Sequence, residues 1–221
     1  MSPSMPPPRM CCSKALWGRH HGGNLPGMAQ AIAREPTIRR YTVERYLGLL
    51  DEGVLSPDDR VELLEGVIVA EPPSDPPHAT GVNLAASVLT GAVGARAAVR
   101  VQVPLVVGRL SLPEPDVAVV PGHLRDYSTC HPTSALLVIE VADSSLVQDR
   151  LTKGAIYAAG GIPDYWIVNL RTRTVEVFRA PDPEAARYRQ TTTAAAGTRL
   201  ELVALPGVTV LVDDLLPAVA T

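Results

Sequence analysis

The chain has 221 residues, 46% of them hydrophobic, and no apolar run of about 18 or more, which suits one sizeable buried core and excludes a membrane-spanning helix. A formal charge of −3 and a pI near 5.9 exclude a global basic field, so any contact with nucleic acid must come from a local cluster. Three cysteines, Cys11 and Cys12 side by side and Cys130 far away, exclude a disulfide framework, and a reducing cytoplasm is the expected compartment.

Residues 1–36 are rich in Pro, Gly and small polar residues without sustained periodicity and are expected to form a disordered tail, with Met28 the expected start of translation. The adjacent pairs Cys11-Cys12 and His20-His21 do not have the separated spacing of a zinc site. Residues 37–221 are expected to form one domain. Within it, Thr42 caps a helix that carries Val43, Tyr46, Leu47 and Leu50 on one face and stops at Gly53. VELLEGVIVAE reads as a hairpin turned at Glu65-Gly66. A second helix is predicted from about Pro77 to Ala95, with Val82, Ala85, Ala86, Leu89 and Val93 at helical spacing.

Three β segments follow: AAVRVQVPLVV, which alternates, and DVAVVP and ALLVIEVA, short apolar runs of the kind that fill strands buried on both faces. LVQDRLTKGAIYAAGG reads as a helix stopped at Gly160-Gly161, DYWIVNL and TVEVFRA as two more strands, and the remainder as small strands with a capping segment near Asp213.

Asp116 and Glu140 interrupt the two most apolar strands. An ionised carboxylate inside a core must be paired, hydrogen-bonded or metal-bound. Neighbouring strands bring both to one sheet edge, and such oxygen ligands are what Mg²⁺ takes. The competing reading makes Asp116 a strand cap and Glu140 the partner of an arginine. On the next helix Asp149, Lys153 and Tyr157 recur every four residues as a polar stripe, opposite an apolar face of Leu151, Ala155, Ala158 and Ala159. Of the 20 Lys and Arg residues only Lys14 and Lys153 are lysine, so a lysine within the domain is a local exception. There it is placed to hold or activate a water, or to stabilise charge developing on phosphoryl oxygens. The competing reading is an exposed Asp149–Lys153 ion pair.

The ordered series VELLEGVIV, PPHATGVNLA, EPDVAVVP, LLVIEVADSS, DRLTKGAIYAAGGIPDYWIV and TVEVFRA resembles the putative restriction endonuclease family of the PD-(D/E)XK nuclease superfamily, from about Tyr41 to Leu216. The resemblance implies an α/β, restriction-endonuclease-like fold: a mixed central sheet flanked by helices, with an N-terminal hairpin and a small C-terminal β extension. It implies a Mg²⁺- or Mn²⁺-dependent endonuclease acting on DNA, with Asp116, Glu140 and Glu62 on the metal and Lys153 beside them. Ala142 stands where the parent motif has its lysine, so the function falls to Lys153 on the helix. His78 matches a histidine common in the family. Arg39, Arg40, Arg60, Arg100 and Arg150 are available for phosphate contacts. A homodimer suits cleavage of both strands of a duplex. The alternative is a catalytically silent nucleic-acid or protein-binding module that retains the fold.

Because residues 1–27 have no periodic apolar face to bury, their deletion is expected to leave the melting temperature within about two degrees of the parent's in a thermal denaturation experiment. A large loss of stability would move the domain boundary.

Overall fold

The computed structural model describes residues 40–218 except 57, 72 and 144. The expected tail at 1–36, its Cys and His pairs and Arg39 lie outside the described residues.

Helix α1 (Val43–Asp51) starts where Thr42 accepts a hydrogen bond from the Arg45 N–H, and it buries Val43, Tyr46 and Leu49. Leu49 replaces the expected Leu47 and Leu50, which are only half-covered. Strands β1 (Val61–Leu64) and β2 (Val67–Ala70) form the expected hairpin. Glu65 and Gly66 both have positive φ, 48° and 81°, the backbone of the two-residue turn that matches strand twist. Leu112 N–H donates to the Leu63 carbonyl at 2.7 Å, which fastens the hairpin to the segment leading into the main sheet.

Helix α2 (Pro76–Val93) is capped by Asp75 and ends at Gly94. Strand β3 (Ala98–Val101) is shorter than the alternating segment suggested, because Gln102 adopts a positive φ of 47° and Pro104 follows. Strands β4 (Val117–Val120) and β5 (Leu137–Ala142) are fully buried. The next helix has three parts: α3 (Leu146–Gln148), a π turn (Asp149–Lys153) and α4 (Gly154–Ala159). Strands β6 (Asp164–Asn169), β7 (Thr174–Asp182) and β8 (Arg187–Ala195) complete a six-stranded sheet in the order β3-β4-β5-β6-β7-β8. Only β5 and β6 pair in parallel, with the segmented helix as their crossover. The C-terminal region departs from expectation: β8 is a nine-residue edge strand of the main sheet, and only β9 (Arg199–Glu201) and β10 (Thr209–Leu211) form the small extension.

Alternation along β4, β5 and β6 divides the core between the two faces of the sheet. On one, Val117, Val119, Ile139, Val141, Trp166 and Val168 pack with Val82, Ala85 and Leu89 of α2 and with Val212 and Leu215 near the C-terminus. On the other, Ala118, Val138, Tyr165 and Ile167 pack with Ile156 and Tyr157 of α4. Val43, Tyr46, Leu63 and Leu112 form a third cluster that seats α1 against the hairpin. Asp164 is fully buried yet satisfied: its carboxylate accepts from Trp166 Nε1, Arg179 Nε and Val203 N–H, each at 2.8 Å, tying the C-terminal extension to the sheet. No described helix is long and apolar enough to cross a membrane.

The helix face expected to be apolar holds only in part: Ala158 is buried and Ala155 half-covered, while Leu151 and Ala159 are exposed. Leu151 is 69% exposed, whereas Asp149, Lys153 and Tyr157 are nearly inaccessible. The wide π turn rotates the polar stripe inward, where buried partners await it. Turns of this type recur at functional positions.

Helix α2 approaches β5 closely because residue 81 is glycine: a Cβ there would lie 2.9 Å from Val141 Cγ1. Gly81→Val is therefore expected to cost about 1–3 kcal/mol by overpacking. Gly91→Ala, whose added carbon meets nothing within 4 Å, is expected to raise the melting temperature slightly through helix propensity. Thermal denaturation of the two variants checks both signs; equal effects would remove the close approach as an explanation.

Candidate active site

Asp116 stands immediately before β4. The β4–β5 register pairs Val117 with Ile139, and continuing it by one residue sets Asp116 opposite Glu140. Their side chains fall on the α4 side of the sheet. The Val141 N–H donates to Asp116 Oδ2 at 2.8 Å, so the peptide following Glu140 orients the Asp116 carboxylate. Gln102 Nε2 donates to Asp116 Oδ1 at 3.2 Å, and His78 Nε2 lies 3.2 Å from the same oxygen. The positive φ that ends β3 thus turns Gln102 toward the site. His78 reaches the sheet from the first turn of α2, where its N–H is held by Asp75 at 2.9 Å.

Lys153 points from the π turn into the sheet end. Its Nζ lies 3.3 Å from Glu62 Oε1 and 3.3 Å from Glu140 Oε1. The exposed Asp149–Lys153 pair, the competing reading, is not what forms: Asp149 instead accepts a 2.6 Å hydrogen bond from Ser145 Oγ. Tyr157 Oη donates to Glu140 Oε1 at 2.7 Å. Nor does Glu140 pair with an arginine. Glu62 enters from β1, where Glu114 N–H donates to Oε2 at 3.3 Å and Gln148 Nε2 donates to Oε1 at 3.5 Å.

Asp75, His78, Gln102, Asp116, Glu140, Ser145, Gln148, Asp149, Lys153, Glu62 and Glu114 line one cleft of about 350 Å³; Val141 and Tyr157 do not. Its mouth carries Arg60, 3.8 Å from Glu71, together with Asp59, Asp75 and Asp143. The other described arginines expected at phosphates do not line it: Arg100 lies over the Tyr127 ring, and Arg150 makes a bidentate pair with Glu176 at 2.6 and 2.7 Å. Arg40 stands apart, exposed at the first described residue.

The electrostatics follow from confinement. Burial pushes the carboxyls of Glu62, Glu140 and Asp149 above the ordinary range, despite the nearby Lys153. Half-buried Glu114 is raised to about 7 by desolvation, with Glu71 and Glu62 adding repulsion. Burial works against the Lys153 ammonium, but Glu140, Glu62 and Asp149 outweigh it and hold Lys153 above the usual lysine value. The hydrogen bond to Asp116 raises His78.

Five carboxyl groups, those of Glu62, Glu114, Asp116, Glu140 and Asp149, therefore face one ammonium and one imidazole. Such a hard-oxygen set suits a divalent cation such as Mg²⁺ or Mn²⁺, which would relieve the surplus of acid. Among the described residues no three His, Cys, Asp or Glu side chains are grouped closely enough to hold an ion as they stand. Lys153 lies instead against Glu62 and Glu140, and His78 against Asp116.

Asp116, Glu140, Lys153, Glu62, His78 and Asp149, all singled out in the sequence, line the cleft together. Gln102, Glu114 and Gln148 were missed. Glu114 had a local signal, a second acid in Glu-Pro-Asp. Gln102 and Gln148 had none, since their placement depends on a left-handed backbone residue and on the helix that carries the π turn.

A family model described as a putative restriction endonuclease, Uma2, matches residues 43–215. Among solved structures, a putative nuclease belonging to DUF820 from Anabaena variabilis superposes with a TM-score of 0.63 at 18% identity, over 79% of this chain and 96% of that one. At that identity the likeness speaks for the fold, which is the expected one: a six-stranded mixed sheet flanked by helices, similar to a nuclease fold. No curated protein matches.

Acids whose pKa is raised on folding bind protons more tightly in the native state, so their contribution to stability grows as pH falls below the folded value. Raised His78 acts in the same direction, its contribution being lost as pH rises through its folded value. In a chelator-containing buffer the melting temperature is therefore expected to rise as pH is lowered from 8 to 5.5, across the Glu114 value of about 7. Glu114→Gln should flatten that slope. An unchanged slope in the variant would show that Glu114 is not one of the responsible groups.

Proposed function

We propose that this chain, which belongs to the Uma2 family of putative restriction endonucleases, is a divalent-metal-dependent endonuclease that hydrolyses DNA phosphodiester bonds. The observation that carries this reading is the placement of Lys153 Nζ 3.3 Å from both Glu62 and Glu140, within a buried set of acids that it does not neutralise.

Asp116 and Glu140 would hold the ion, with Glu62 as an auxiliary ligand. Bound there, Mg²⁺ or Mn²⁺ would supply a hydroxide nucleophile near neutral pH and charge compensation for the leaving oxygen. The Val141 N–H, Gln102 and His78 keep the Asp116 carboxylate in one orientation. Lys153 presents a point charge and rotatable N–H donors to a water or a phosphoryl oxygen in the cleft, work that arginine's planar fork does not duplicate. Arg60 at the mouth is the phosphate contact on the cleft wall. A pair of copies would provide the two sites that a double-strand cut needs.

A catalytically silent binding module that keeps the fold is the second reading. It is favoured by one observation, that the acids are engaged by Lys153 and His78 rather than grouped around an ion site.

Two experiments separate the readings. Asp116→Asn and Glu140→Gln are each expected to abolish Mn²⁺-dependent cleavage of plasmid DNA, and Glu140→Gln, which takes away one of the two carboxylates holding the buried Lys153 ammonium, is also expected to lower the melting temperature. Parent-rate cleavage by either variant removes that residue as a ligand. Lys153→Arg is expected to lose about 10²-fold or more in rate with nearly unchanged Mn²⁺ affinity. Parent-like cleavage by Lys153→Arg would take the lysine out of the chemistry, and no cleavage by the parent with either ion would favour the silent module.

A further inference from the structure

Glu140 Oε1 is engaged twice from one helix: Tyr157 Oη donates to it at 2.7 Å, and Lys153 Nζ, one turn earlier, lies at 3.3 Å. Tyr157 has no exposed surface. Its ring stands 5.0 Å from that of Tyr165, tilted by 57°, and Tyr165 Oη donates in turn to the Asp149 carbonyl at 3.1 Å. Two tyrosines thus brace the π turn. Tyr165 holds the carbonyl of its first residue, and Tyr157, one turn beyond its last, ties the helix to the middle of β5.

If position 157 required only a ring to fill the core, phenylalanine would meet that need without burying a hydroxyl. The hydroxyl instead ends on a carboxylate that is itself fully buried. A carboxylate on a long side chain can rotate about its last bond, and a donor on one oxygen fixes its plane. Partners outside the ligand shell orient metal ligands in this way, and their loss commonly weakens metal binding by about 10- to 100-fold.

We propose that Tyr157 is a positioning residue: its hydroxyl fixes the plane of the Glu140 carboxylate and, through the shared oxygen, the reach of Lys153, so that Glu140 meets the divalent ion in one orientation. The inference rests on the reading of Glu140 as a metal ligand. It adds a residue that touches neither ion nor substrate and that nevertheless sets the geometry of both Glu140 and Lys153.

Tyr157→Phe tests it, because the variant keeps the ring and its contact with Tyr165 and removes only the hydroxyl. Calorimetric titration with Mn²⁺ is expected to show affinity reduced about 10-fold or more, while the melting temperature in chelator stays within a few degrees of the parent's. Affinity equal to the parent's overturns the proposal, since a packing role alone leaves binding untouched. A parent protein that takes up no Mn²⁺ overturns the ligand reading itself and Tyr157's part with it, so the parent titration tells the two failures apart. Should the variant fail to fold, the unsubstituted protein carrying ¹³C at tyrosine Cζ decides. Titration with Mg²⁺ moves the Tyr157 resonance if its hydroxyl rests on a ligating carboxylate, and a resonance that stays fixed at saturating Mg²⁺ overturns the proposal.

Discussion

The ammonium of Lys153, buried between Glu62 and Glu140 at 3.3 Å from each, sets the terms for the rest of the cleft. A desolvated charge of this kind persists only where opposite charge surrounds it. Meeting that condition draws three separate parts of the chain together: the N-terminal hairpin supplies Glu62, β5 supplies Glu140, and the crossover helix widens into a π turn to deliver the lysine. The hairpin is fixed through the Leu63–Leu112 bridge to the segment leading into the sheet, and the helix to the sheet through Tyr157 and Tyr165. Each attachment constrains where an acidic oxygen sits relative to the same nitrogen.

Burial of an acid is not by itself the mark of a site, and Asp164 shows why. It is as inaccessible as any residue in the core, yet three donors at 2.8 Å satisfy it and its purpose is to hold the C-terminal extension. The acids of the cleft differ in being too many for their partners. Glu62, Glu140, Asp149 and Glu114 are all raised above the ordinary carboxylate range, chiefly by burial. Keeping ionisable groups where burial disfavours their charged form costs stability, and proteins tolerate that loss mainly where function requires it.

Much of this was legible in the sequence because the strongest signals were local. Apolar runs gave β4, β5 and β6, Glu65-Gly66 gave the hairpin turn, and acids embedded in those runs gave Asp116 and Glu140. Lys153 stood out because arginine supplies nearly every other cation. Position 62 was found only through the family resemblance, since one acid in a short apolar hairpin strand has no distinctive pattern. The place of Leu151 on the buried face of the crossover helix was misread for a physical reason. Periodicity assumes 3.6 residues per turn, and a π turn breaks that assumption where Asp149, Lys153 and Tyr157 turn inward and Leu151 turns out. Gln102 was likewise hidden, because a left-handed residue that ends a strand leaves no mark on an alternating run.

The central claim is that the surplus of buried acid exists to receive a divalent cation beside Lys153. A crystal structure grown with Mn²⁺ and recorded at its absorption edge tests this directly. An anomalous peak bounded by Asp116 and Glu140 is expected, with Lys153 still lining the same cleft. Saturating Mn²⁺ that leaves no peak there, with Lys153 still seated between Glu62 and Glu140, would contradict it.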